Sequence, residues 1–387
     1  MKAGVSDSVL VQRWSAILLR RLIVTLGLVG TFTLAGCERT QTVQSGFRGT
    51  GMEQVFSPAT VAALASGNVI PEPEPVDPPD PEAPKLSELF KNVQVLNDLT
   101  ALEFSRLMAA MSTWVAPEEG CNYCHNPKNL ASDEKYPKVV SRRMLQMTRK
   151  LNTDWKQHVG STGVTCWTCH RGQAVPSGDW FTRPENPAAF NTKPPKTGLD
   201  ATPITAVGNS SLPPDPLTTY LLRDTGIRVQ GQQALAHDNN HSIYQARASY
   251  GLMVYMSNSL GVNCTYCHNT RALASWPESS PKRATAWYGI RMVRELNNDY
   301  LVPLTSVFPP HRLNAQGDGP KVGCATCHKG AYKPLLGVSM LPDYPELRGP
   351  MTDKDRPAVE NPASVVPVEP AQAVKVSQAV PQATQAR

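Results

Sequence analysis

Gly163-Val164-Thr165-Cys166-Trp167-Thr168-Cys169-His170-Arg171-Gly172 returns, lightly altered, as Lys321-Val322-Gly323-Cys324-Ala325-Thr326-Cys327-His328-Lys329-Gly330. Each copy holds Cys-x-x-Cys followed at once by His. A second pair of stretches carries the same signature. Cys121-Asn122-Tyr123-Cys124-His125-Asn126, running on to Leu130-Ala131-Ser132, matches Cys264-Thr265-Tyr266-Cys267-His268-Asn269, running on to Leu273-Ala274-Ser275. The first motif therefore pairs with the third and the second with the fourth. The chain reads as an internal duplication of a two-motif unit.

Eight of the nine cysteines lie in these motifs, so the chain is not a disulfide scaffold. Cys-x-x-Cys-His is the attachment pattern for c-type haem. Its two thiols add to the vinyl groups on one porphyrin edge, and the next residue is placed to reach the iron. Zinc ribbons also use paired Cys-x-x-Cys. They do not explain a histidine directly after every pair, and they fit an exported chain poorly. Four covalent haems are the expected cofactors, with the thioethers on Cys121, Cys124, Cys166, Cys169, Cys264, Cys267, Cys324 and Cys327. The axial histidines would be His125, His170, His268 and His328. Aromatic residues make up only 7% of the chain, and four large apolar rings would fill the core instead.

A helical pattern precedes each motif. Phe104, Leu107, Met108, Met111 and Val115 share one face, and Thr100-x-x-Glu103 reads as a capping box at its start. Val140, Met144, Met147 and Leu151 repeat the spacing before the second motif. Ser249, Met253, Met256 and Leu260 do so before the third, and Ala286, Ile290, Val293 and Leu296 before the fourth. No strand alternation is long enough for a sheet core. The expected fold is mainly α with extensive irregular loops, in two pseudo-symmetric halves each holding two haems.

Each iron needs a sixth ligand or an open position. Met108/Met111, Met144/Met147 and Met253/Met256 stand at i, i+3, so one member of each pair can ligate while the other packs. The fourth helix departs from this plan. With Leu151-Asn152 set against Leu296-Asn297, Met147 faces Met292 but Met144 faces Gly289. His158 in turn faces Pro303 and has no counterpart. One unit has a spare histidine where its duplicate lacks a methionine, so the economical inference is that His158 reaches across to the fourth iron. Met292, His311, His237 and His241 are its rivals.

The ends and linkers have their own signals. Arg13, Arg20 and Arg21 precede an uncharged, mostly apolar run from Leu22 to Ala35, too short to span a bilayer. Leu34-Ala35-Gly36-Cys37 resembles a bacterial lipobox, making residues 1–36 a lipoprotein signal and Cys37 the lipid-bearing N-terminus. Residues 37–85 then form an anchored segment whose Pro71–Pro84 stretch, half proline, is a stiff spacer. The first dihaem half would cover 86–200, an irregular connection 201–240, the second half 241–349, and a disordered Pro/Ala-rich tail 350–387. Lys2, Arg13, Arg20 and Arg21 against Asp7 give the leader +3, which leaves +3 of the total +6 for the mature chain. No Lys/Arg block suits a nucleic acid.

Taken together, these features resemble the tetrahaem cytochrome c subunit of the photosynthetic reaction centre of purple bacteria. The resemblance is carried by the lipobox at Cys37, Gly46-Phe47-Arg48-Gly49, Glu119-Gly120-Cys121, Tyr136-Pro137 to Asn152, His158-Val159 to Gly172, and Trp287 to Arg294. It runs from about residue 36 to 350. It implies that Met108, Met144 and Met253 are the sixth ligands opposite His125, His170 and His268, and that His158 is the ligand opposite His328. It also implies an electron-transfer protein, not an enzyme, lipid-anchored on the periplasmic face of the photosynthetic membrane against the reaction-centre subunits. A soluble cytochrome c or high-potential iron–sulfur protein would reduce it, and it would re-reduce the photo-oxidised bacteriochlorophyll pair, with the third-motif haem nearest that pair. Two other classes remain: a multihaem reductase, which needs an open iron, and a lipoprotein cytochrome for other periplasmic or extracellular acceptors, which usually shows bis-His haems.

Overall fold

The computed structural model describes residues 39–76, 84, 86–182, 212, 215–229 and 242–351. The leader with Cys37, the centre of the proline spacer, most of the connection with His237 and His241, and the tail from 352 lie outside the described residues.

The described chain is mostly helical, with long irregular connections. In order, α1 is Pro58–Gly67, α2 Leu86–Leu89, α3 Ala101–Val115, α4 Tyr136–Asp154, α5 Lys156–Val159, α6 Cys166–His170, α7 Ile243–Leu260, α8 Lys282–Glu295 and α9 Cys324–His328. Each helical pattern read from the sequence falls on a long helix, α3, α4, α7 or α8, except that Leu296 begins a π turn, Leu296–Leu301, directly after α8. Thr100 and Glu103 form the expected capping box, with the Thr100 N–H donating to Glu103 Oε2 at 2.8 Å and the Glu103 N–H donating to Thr100 Oγ1 at 3.3 Å. Ser242 caps α7 in the same way through Gln245. These side chains satisfy donors that the first helical turn leaves open.

The chain also forms a hairpin that hydrophobic patterning does not announce. β1 (Gln41–Gln44) pairs antiparallel with β2 (Glu53–Phe56), Gln41 opposite Phe56 and Gln44 opposite Glu53. Its strands are short and mostly polar, so no alternation marks them. Gln54, not an apolar residue, is the buried one. It exchanges hydrogen bonds with Asn263, through its Nε2 at 2.6 Å and its Oε1 at 3.0 Å. Thr270 adds two donors to the Thr50 carbonyl. The hairpin is thus fastened onto the third motif.

Two apolar clusters hold the helices together. In one, Leu252 and Tyr255 of α7 meet Ile290, Met292 and Val293 of α8, with Met147 and Leu151 from α4. In the other, Leu107, Ala110 and Trp114 of α3 meet Leu145 of α4 and Met340, Leu341, Tyr344 and Leu347. Opposite faces of α4 therefore serve different clusters. Trp114 and Tyr344 stack edge to face at 4.6 Å, a geometry worth ~1 kcal/mol beyond burial alone. Residues 335–351, last in the described chain, lie on helices near its start. Arg149 fixes them with a paired grip on Asp98 at 2.8 Å per arm and a bond from Nε to the Glu346 carbonyl at 3.0 Å. A crossing runs the other way too, as Trp180 exchanges backbone hydrogen bonds with Lys321, at 3.0 and 2.8 Å.

Candidate haem-binding sites

The local structure of the motifs follows the sequence pairing. Motifs one and three are 3-10 turns, Gly120–Tyr123 and Cys264–Tyr266, while motifs two and four are the short helices α6 and α9. In α6 the Thr165 N–H donates to Thr168 Oγ1 at 3.0 Å, and in α9 the Gly323 N–H donates to Thr326 Oγ1 at 2.9 Å. Both helices end on a left-handed residue, Arg171 at φ 49° and Lys329 at φ 48°, followed by a glycine of positive φ. The N–H of Gly172 then donates to the Trp114 carbonyl and that of Gly330 to the Ser259 carbonyl, both at 2.8 Å.

A buried asparagine sits beside each of these turns. Asn152 gives Nδ2 to the Val164 and Leu347 carbonyls and takes the Val164 N–H. Asn297 gives Nδ2 to the Leu221 and Val322 carbonyls and takes the Val322 N–H. In motifs one and three a different asparagine turns the chain. Asn126 accepts the Lys128 N–H and Asn269 the Arg271 N–H, each at 2.9 Å.

These turns bring a backbone carbonyl behind each motif histidine. Nδ1 of His125 lies 2.9 Å from the Leu130 oxygen, His170 2.8 Å from Gln173, His268 2.9 Å from Leu273 and His328 2.9 Å from Ala331. A carbonyl only accepts, so each Nδ1 carries the proton and each Nε2 keeps a free lone pair. This is how proteins orient imidazoles toward metals. Burial pushes the His170 and His268 pKa values down, and takes His328 to about 4, with His158 adding to the effect. A neutral imidazole is the form that ligates.

A fifth histidine has the same backing. His158, on α5, points Nδ1 at the Thr285 carbonyl of α8 at 2.9 Å. Its ring centre is 6.1 Å from that of His328, the planes at 69°. The ring lies directly on Gly289, where an added Cβ would meet Cε1 at 2.4 Å. Gly289 is the position where the duplicate helix carries Met144. The structure thus brings His158 to the fourth motif. It leaves Met292 packed in the core and His311 exposed on a 3-10 turn.

Methionines line cavities at the other three motifs. A cavity of about 830 Å³ is lined by Met253, Met256, Cys264, Cys267 and His268. A second, of about 810 Å³, runs continuously from Met108, Met111 and His125 to Met144, Met147 and His170. Both members of each pair line a cavity. The eight motif thiols are free, and burial pushes Cys166 and Cys324 up to about 12. Cys169 Sγ and Cys327 Sγ stand 2.6 Å apart, so motifs two and four meet at their second cysteines. Sequence reasoning missed Thr285 and the role of the paired asparagines. The Leu-Asn repeat was the available signal for the latter, and a backbone carbonyl leaves no such mark.

Free thiols beside back-oriented imidazoles, in apolar cavities fronted by methionine, make the protein a c-type cytochrome. Residues 36–348 match the family model of the photosynthetic reaction centre cytochrome C subunit, and the chain belongs to that family. It is 50% identical over 339 residues to the photosynthetic reaction center cytochrome c subunit of Rubrivivax gelatinosus, covering 86% of this chain and 91% of the relative. The corresponding subunit of Thermochromatium tepidum is 47% identical over 338 residues, covering 87% and 82%. Cytochrome c-554 of Chloroflexus aurantiacus is more distant, at 26% over 310 residues, covering 64% and 70%. The protein is therefore an electron-transfer subunit of the photosynthetic reaction centre, with covalently bound c-type haem, and not an enzyme. It is associated with the membrane, although no helix among the described residues is long and apolar enough to cross one.

Proposed function

We propose that the chain holds four haems, two in each of two pseudo-symmetric halves, and re-reduces the photo-oxidised bacteriochlorophyll pair with electrons from a soluble periplasmic cytochrome c or high-potential iron–sulfur protein. The haems supply reversible one-electron chemistry; the protein supplies ligands, spacing and tuning. The eight motif cysteines would form the thioethers. The axial pairs would be Met108 with His125, Met144 with His170, Met253 with His268, and His158 with His328. Three Met/His sites of higher potential would accompany one bis-His site of lower potential.

The observation that carries this reading is common to five side chains. His125, His158, His170, His268 and His328 each have Nδ1 tied to a carbonyl, which keeps Nε2 available. A multihaem reductase needs an open iron, and here a side chain is at hand for every sixth position. Methionines in three sites also favour the photosynthetic reading over a bis-His extracellular conduit. The halves would divide at the connection 201–240, between 86–200 and 241–349, with the tail beyond 350 outside both. Lipid on Cys37 would hold residues 37–85 to the periplasmic face. Gln41 starts the hairpin four residues later, so the anchor would lie within ~14 Å of it. Glu118 and Glu119, exposed just before Cys121, offer the donor a local acidic contact.

The test is a flash experiment on isolated membranes, following the haem α-bands, with reaction centres then purified from the same membranes. Haem oxidation within the flash transient and co-purification of the subunit are expected. Membranes that contain the subunit but show no flash-induced haem oxidation would overturn the reading.

A further inference from the structure

Arg171 and Lys329 occupy equivalent places in the duplicated motif, each directly after the axial histidine and each in the left-handed region. They converge where the two motifs touch, at the contact between Cys169 and Cys327. Both side chains are half-buried, and among the described residues neither forms an ion pair. Lys329 Nζ donates to the neutral Ser177 hydroxyl at 2.7 Å. Arg171 donates Nη1 to the Gly67 carbonyl, while its buried Nε and Nη2 have no hydrogen-bond partner. Lys329 feels Arg171 as a like charge, and both cations lie beside the Cys169 and Cys327 thiols.

Two half-buried cations placed together without a carboxylate carry a desolvation cost and repel one another. The partners at Gly67 and Ser177 are both neutral, so neither bond supplies a compensating negative charge. The charge itself has a consequence at this place. Ferric haem carries one more positive charge than ferrous haem, so a fixed cation nearby disfavours oxidation. Partial burial limits the screening that weakens such effects at a surface.

We propose that Arg171 and Lys329 are a pair of positioning residues that raise the reduction potentials of the second- and fourth-motif haems at the junction between the two duplicated units. The inference rests on haem being bound at both motifs. It separates two functions that axial ligation alone would merge. Ligand identity sets the high and low levels, and the cation pair lifts both levels together, so that the step between neighbouring sites is kept while both are moved.

The variants are Arg171→Gln, Lys329→Gln, the double substitution, and Arg171→Lys as the charge-retaining control. Each is purified as the haem-loaded subunit, counted by pyridine haemochrome, and titrated through its α-bands. With full haem content, Arg171→Gln and Lys329→Gln should each shift the same two of the four potentials downward. The double variant should shift them further, and Arg171→Lys should stay near the parent. If Arg171→Gln does not fold, Lys329→Gln still decides. All potentials unmoved at full haem content would overturn the proposal, as would Arg171→Lys moving as far as Arg171→Gln, since the bond to Gly67 would then matter and not the charge. A parent protein lacking haem at either motif would sink the four-haem reading instead, and the haem count tells these failures apart.

Discussion

Replacing Gly289 with alanine sets two effects of opposite sign against each other. In a helix interior this change ordinarily stabilises by ~0.5–1 kcal/mol, because alanine loses less backbone freedom. Gly289 lies within α8, so that gain is available. The new Cβ, however, would meet His158 Cε1 at 2.4 Å, Nδ1 at 2.7 Å and Nε2 at 3.1 Å. Ordinary contact begins at 3.4 Å, so the ring must retreat by the difference from 2.4 Å, which is 1.0 Å. It is held by its bond to the Thr285 carbonyl at 2.9 Å, and overpacking of this kind costs ~1–3 kcal/mol. If His158 holds the fourth haem iron as proposed, a retreat of that size would break the ligation. The expected outcome is a net loss of about 1 kcal/mol, from the balance of those ranges, and conversion of one low-spin haem to high-spin. Electron paramagnetic resonance and the visible spectrum read the spin state; denaturant titration reads the stability. A variant that gains ~1 kcal/mol with four unaltered low-spin haems would refute the placement of His158 over this helix.

Four further outcomes are expected. His158→Met should raise one potential and leave three nearly in place, because thioether favours ferrous iron over what imidazole allows. Met292→Leu should leave all four unmoved and cost less than ~1.5 kcal/mol, as a volume-conserving change in the core; a redox titration in which these two results are exchanged would hand the ligand role to Met292. Asn297→Ala should cost ~2–4 kcal/mol by chemical denaturation, since it leaves the buried Val322 N–H and two carbonyls without their partner; a cost under ~1 kcal/mol would show that water replaces it. Glu346 is 2% exposed, and burial raises its pKa to about 7 despite Arg106 at 3.7 Å. Folding therefore favours the protonated acid, so its contribution is present below the unfolded value of 4.5 and lost as pH climbs through about 7. The loss is at most ~3 kcal/mol, and Glu346→Gln should flatten the fall in melting temperature between pH 5 and 8; an unchanged slope would count against it.

Most of the scaffold was legible because its signals are local. Helix periodicity, the Thr100–Glu103 box and the pairing of motifs each occupy a short window, and the folded chain repeats them. The hairpin was not legible, because its defining contacts are polar and long-range. Gln54 meets Asn263 and Thr50 meets Thr270 across more than two hundred residues. The return of residues 335–351 onto α3 and α4 was hidden for the same reason. Its bonds, from Arg149 to the Glu346 carbonyl and from Asn152 to the Leu347 carbonyl, end on backbone oxygens that every residue possesses.

The fourth site lies between these extremes. Neither a lone histidine nor a lone helix glycine carries information, since each has many ordinary uses. Their positions in a duplication do. Gly289 stands where the other copy has Met144, and His158 stands where the other copy has Pro303. The structure supplies the physical link between the two departures, because the imidazole fits against α8 only where a Cβ is missing. The space beside Gly289 admits the ring, whose Nδ1 is tied to the Thr285 carbonyl and whose centre lies 6.1 Å from that of His328. Restoring the methionine at 289 without removing the histidine would put two side chains into one volume. The pair should therefore change together, so that Gly289→Met is tolerated only when His158 is replaced by a small residue.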